Sequence, residues 1–114
     1  MKVMKSVVEI DCSKIKDWNS FHIVFKDKMG FPDFYGCNMN AWIDCMSSLS
    51  SPEDGMSKIH CAKGNVVTLS LKGMKLLKQN LPEIHEALIE CSAFVNYRLI
   101  EVNEPPVLVL SYDQ

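Results

Sequence analysis

Two short runs constrain this chain most: Val66-Val67-Thr68-Leu69-Ser70-Leu71 and Val107-Leu108-Val109-Leu110. Both have almost no polar alternation, the pattern of strands covered on both faces. Val3 to Ile10, above all its end Val7-Val8-Glu9-Ile10, reads as an earlier strand. Between these runs the apolar period becomes helical. Trp18, Phe21, Phe25 and Met29 recur at helical spacing behind Asp17, a capping residue, and Gly30 ends that helix. A second helix spans about Met39 to Leu49. A short helical piece near Met74 to Gln79 precedes a longer helix, opened by Asn80 with Pro82 and Glu83 and burying Ile84, Leu88, Cys91 and Val95. Strands joined through helices call for parallel crossovers, so the pattern predicts an α/β fold with a small parallel sheet flanked by helices. Tyr97 to Val102 fits either an extension of the long helix or an extra antiparallel edge strand that turns at Asn103-Glu104-Pro105-Pro106 into the last one. The strand is favoured.

At 114 residues, with 47% hydrophobic and 23% charged side chains, residues 1–114 are expected to form one domain with a real core. The net charge is −2 and the twelve Lys and Arg are scattered, which disfavours direct binding of nucleic acid. No apolar run approaches the roughly 18 residues of a membrane span, and the N-terminal segment lacks a signal-peptide pattern, so a cytoplasmic location and no membrane partner are expected. Cys12, Cys37, Cys45, Cys61 and Cys91 are odd in number and irregularly spaced, mostly inside apolar periodic segments. Buried free thiols are expected, Cys37 included.

Catalysis starts with little support. There is no Cys-x-x-Cys, no His-x-x-x-His, no carboxylate-rich metal triplet and no Gly-rich phosphate loop, so no metal, cofactor or catalytic residue is assigned. Ser13-Lys14-Ile15-Lys16 has a Ser-x-x-Lys spacing without the other motifs of such enzymes. His22 and His85 fit satisfied helix positions, and His60-Cys61 supplies only two potential ligands. A small α/β enzyme using Cys37 or a histidine remains the distant alternative.

The run from Gly30 to Cys45 is different in kind. Pro32 blocks continuation of the first helix, Phe31, Phe34 and Tyr35 can anchor a turn, and Asn38 is expected to cap the next helix. On a helical projection Met39, Trp42, Ile43, Cys45, Met46 and Leu49 share one apolar face, leaving Asn40, Asp44, Ser47 and Ser48 opposite. Asp44 is therefore expected to point outward beside an aromatic turn. A solvated surface acid is the plain reading of such a residue, and core packing that of Trp42, Phe34 and Tyr35. Only Tyr35 has a hydroxyl to offer a partner.

Phe31-Pro32-Asp33-Phe34-Tyr35-Gly36, then Asn38, Ala41 and Asp44-Cys45, resemble the barstar family of ribonuclease inhibitors in order and spacing. The likeness extends more loosely through Trp18 to Gly30 and the strands at 66–71 and 107–110. It implies a three-stranded parallel sheet packed by helices. It also implies a stoichiometric inhibitor, an antitoxin or immunity protein of a bacterial cell, that blocks a basic, extracellular-type ribonuclease until export. In that family the second helix and its preceding loop plug the nuclease cleft, with an aspartate in the place of a substrate phosphate. Carried over residue by residue, Asp44 is that mimic, and Phe34, Tyr35, Gly36, Asn38, Asn40, Ile43 and Ser47 surround it in the partner-binding surface. Asn40 stands where the founding inhibitor has a carboxylate, and Phe34 and Ile43 replace aromatics with a larger or more polar contact. A monomer is favoured. The alternative within binding proteins is a barstar-like interaction module with a different, non-nuclease partner.

Overall fold

The structure, a computed structural model, describes residues 3, 4 and 6–113. Its strands are β1 (Val3–Met4), β2 (Val7–Asp11), β3 (Ile59–His60), β4 (Val67–Lys72) and β5 (Leu108–Tyr112), and its α-helices are α1 (Trp18–Met29), α2 (Met39–Ser47), α3 (Met74–Asn80) and α4 (Pro82–Glu101). β4 lies between β2 and β5 and runs parallel to both, which is the expected three-stranded parallel sheet. Helices α1 and α2 fill the connection from β2 to β4, and α3 and α4 fill that from β4 to β5.

The register aligns Val8 with Leu69 and Leu110, and Ile10 with Leu71 and Tyr112. Successive strand side chains alternate faces, so these residues share one face, and there Val8, Ile10, Val67, Leu69, Leu71 and Leu108 are buried. The other face carries Val7, Glu9, Lys72, Val109 and Ser111, all exposed, with Thr68 and Ser70 half-buried. This corrects the expectation of strands covered on both faces. Thr68 and Ser70 mark a true period of two within an apolar-looking run, and the helices cover only the apolar side. There α1 packs on β2, α4 packs on β5, and α2 and α3 both pack on α4.

Three other expectations are corrected. The strand read across residues 3–10 is split: β1 pairs in parallel with β3, β2 joins the main sheet, and Lys5 lies outside the described residues. β3 itself lies between α2 and β4, and its flanks are tied back by Lys58 N–H to the Met29 carbonyl (2.9 Å) and Cys61 N–H to the Leu49 carbonyl (3.0 Å). Asn80 closes α3, and Leu81 occupies the position before α4 without a side-chain cap.

The favoured extra antiparallel strand at Tyr97–Val102 is absent among the described residues, because α4 continues through Glu101. Ile84, Leu88, Ser92 and Val95 are buried and Leu99 packs against the core, one stripe at helical spacing that extends past residue 97. That tertiary stripe overrides the strand preference of Tyr97, Ile100 and Val102, which project outward. Asn96 also joins the helix to the sheet. Its Oδ1 accepts from Val107 N–H (3.0 Å) and Leu108 N–H (3.1 Å), while Nδ2 donates to the Leu108 carbonyl (2.8 Å).

Candidate functional site

Helix α1 sets the base of the site. Asp17 accepts from Ser20 N–H at 2.8 Å, and the Ser20 hydroxyl accepts from Asp17 N–H at 3.0 Å, closing a capping box. Gly30 ends the helix in the left-handed conformation with φ 68°. A side chain there would be strained, and an added Cβ would come within 2.6 Å of Lys58 Cβ. The chain then enters a turn held from inside. Phe31 and Tyr35 are buried with ring centroids 4.8 Å apart, and Tyr35 Oη lies 2.6 Å from Nδ1 of buried His22. Burial holds His22 below its ordinary pKa and raises that of Tyr35, so the imidazole and the phenol are both neutral near pH 7. With its aromatic neighbours tied inward, Phe34 projects from the turn at 76% exposure.

Helix α2 begins at Asn38, whose Oδ1 accepts from Ala41 N–H at 2.8 Å and whose Nδ2 donates to the Gly36 carbonyl at 3.4 Å. One side chain therefore caps the helix and fastens the turn to it. Trp42, Cys45, Met46 and Leu49 are fully or almost fully buried, and the Trp42 ring meets Phe25 edge-on at 5.6 Å. Burial, with Asp44 next in sequence, pushes the Cys45 thiol up to about 11, so it stays protonated. The opposite side of this anchored helix carries Asn40 and Asp44, both exposed.

The expected surface residues divide by direction. Phe34, Gly36, Asn38, Asn40 and Asp44 face solvent. Tyr35 turns inward and commits its hydroxyl to His22, so it supports the turn and has no group free for a partner. Ile43 is only 8% exposed and belongs to the core, as its place on the apolar face of the projection required. Ser47 is half-buried and donates its hydroxyl to the Ile43 carbonyl at 2.7 Å. Cys37 is exposed, against the expectation of burial, and sits in the left-handed region with φ 53°. His60 is buried in β3 with neither ring nitrogen hydrogen-bonded among the described residues.

One member of the site escaped the sequence entirely. Arg98 of α4 places Nη1 3.0 Å from Asp44 Oδ1, with 43% of the Arg98 side chain and 57% of the Asp44 side chain exposed. The two residues are 54 positions apart, so no local spacing signals the pair. Tyr97, next to Arg98, and Phe94, one turn before it, stack at 6.2 Å and are also exposed. The resulting surface is an outward carboxylate with one cationic neighbour and aromatic groups nearby, suited to charge-assisted contact with a basic partner. Among the described residues no group of three His, Cys, Asp or Glu could hold a metal ion, and no helix is long and apolar enough to cross a membrane.

No curated protein matches this chain. The family model described as Barstar (barnase inhibitor) matches residues 5–111, nearly the whole chain. With its three-stranded parallel sheet, its capped second helix and an outward Asp44, the chain belongs to the Barstar family.

Proposed function

We propose that this protein is a stoichiometric inhibitor of a basic, barnase-like ribonuclease, acting in the cytoplasm as an antitoxin or immunity protein. The segment 34–48 occludes the nuclease cleft, and Asp44 takes the place of a substrate phosphate. One observation carries the reading: Asp44 is a solvent-facing carboxylate on a helix whose other face is locked into the core, so it is presented with little freedom to lose. A cleft that stabilises phosphate must carry Arg, Lys or protonated His, and a preorganised carboxylate accepts charge-assisted hydrogen bonds from such groups. Phe34 and Asn40 lie on the exposed side of the same loop and helix and extend the contact.

The test is an inhibition titration against barnase. Wild-type protein should give a 1:1 end point, and Asp44→Ala should weaken binding at least about a hundredfold, because it strands the nuclease's cations in a desolvated contact. The fold of Asp44→Ala should be retained, since an exposed ion pair adds only about 0.2–1 kcal/mol to stability. An Asp44→Ala protein that inhibits as well as wild type would sink the phosphate-mimic assignment. If wild type leaves barnase fully active, the related reading gains ground, a Barstar-family module for another basic protein. Asn40, neutral and exposed beside Asp44, is the residue that favours that reading.

A further inference from the structure

We propose that Arg98 is a specificity-determining residue of this surface: a built-in competitor that occupies Asp44 until a partner with several clustered cations displaces it. The inference rests on the inhibitor reading above and concerns what that site accepts. Arg98 Nη1 lies 3.0 Å from Asp44 Oδ1, so the carboxylate already has a guanidinium partner in the free protein. Both side chains are substantially exposed, and Arg98 extends from α4, so it can leave Asp44 without disturbing the anchored helix α2.

The consequence is an exchange. A partner that offers one isolated Lys or Arg merely replaces one charge-assisted contact on Asp44 with another, and it also meets the like charge of Arg98. Little is gained. A cleft shaped to grip a phosphate converges several donors on a single anion and gains more contacts than it breaks. Arg98 therefore discriminates against ordinary basic surfaces, and it does so at the cost of some affinity for the true partner. This is specificity by a repulsive element next to an attractive one.

The pair is testable with barnase as the probe, using Arg98→Gln, Asp44→Asn, the double variant and Lys75→Gln. Lys75 is exposed on α3, and its replacement removes the same formal charge without touching Asp44. Dissociation constants and association rates are measured at low and high salt, with thermal midpoints to verify folding. Arg98→Gln should bind barnase about two- to fivefold more tightly than wild type, the range that corresponds to one exposed ion pair. The gain should exceed that of Lys75→Gln and vanish in the double variant, where the carboxylate is already gone. Equal gains in Arg98→Gln and Lys75→Gln, or an undiminished gain on the Asp44→Asn background, overturn the proposal in favour of net charge. Weaker binding by Arg98→Gln also overturns it and makes Arg98 a direct contact, while leaving the inhibitor reading intact. Binding that ignores Asp44→Asn overturns the inhibitor reading's phosphate mimic, and no complex with any variant overturns both.

Discussion

His22 and Tyr35, thirteen residues apart, join helix α1 to the turn in front of α2 through a 2.6 Å hydrogen bond inside the core. Either tautomer of the neutral imidazole keeps this bond, with Nδ1 accepting from the phenol or donating to it. This bond orients the turn from below, which is why Phe34 and the helix start beyond it present an ordered surface.

The same bond makes stability depend on pH in a defined window. Burial lowers the His22 pKa from 6.5, so above that pH the ring is neutral whether the chain is folded or not. As pH falls below 6.5 the unfolded chain takes up a proton that the folded chain resists, and stability is lost until pH passes the lower folded value. His85 shifts the same way, first through burial and then through Lys78. Urea midpoints measured from about pH 7.5 to about pH 5 should fall, and the fall should be smaller in His22→Gln, which keeps an acceptor for the Tyr35 hydroxyl.

Tyr35→Phe removes only the hydroxyl and leaves Nδ1 of His22 buried without its partner. A loss of about 1–3 kcal/mol is expected, the usual cost of an orphaned buried polar atom. Equilibrium denaturation should show a lower midpoint with an unchanged slope, because the extent of buried surface stays the same.

Gly30 and Gly55 separate two costs of replacing glycine. Both have φ 68°, but a Cβ at Gly30 would meet Lys58 Cβ at 2.6 Å while a Cβ at Gly55 would meet nothing within 4 Å. Gly55→Ala should cost about 1–2 kcal/mol for the left-handed backbone alone. Gly30→Ala should cost more, and denaturation of the two variants side by side reads the difference as the free energy of moving Lys58.

Asn96→Ala should destabilise the chain by about 2–4 kcal/mol. It removes the acceptor for the Val107 and Leu108 N–H groups and the donor to the Leu108 carbonyl, all at a half-buried junction. Hydrogen exchange should localise the effect. Amides of β5 should lose protection ahead of those of β2, because α4 holds the edge strand through this side chain.

Much of the fold was legible in the residues because it depends on neighbours in the chain. Asp17 and Asn38 cap helices through bonds that span three residues, Gly30 supplies the left-handed stop, and the apolar face of α2 follows from helical period alone. Asp44 points outward for the same reason. Where local preference and tertiary burial disagreed, the sequence misled. Tyr97, Ile100 and Val102 favour a strand, yet the stripe from Ile84 to Leu99 buries enough surface to keep α4 helical through Glu101. Carrying Ile43 over from a family resemblance put a core residue on the surface, although its own helical position argued otherwise.

The sequence alone determined the caps of α1 and α2, the three strands of the main sheet, the outward carboxylate and the family, since each is encoded in short-range spacing or in a motif read along the chain. Only the tertiary structure decided that Asn96 fastens α4 to β5, that Tyr35 commits its hydroxyl to His22, and that Arg98 holds Asp44. Those contacts join residues from different elements, and their partners are chosen by how helices stack on a sheet, a three-dimensional relation that leaves no period in one dimension.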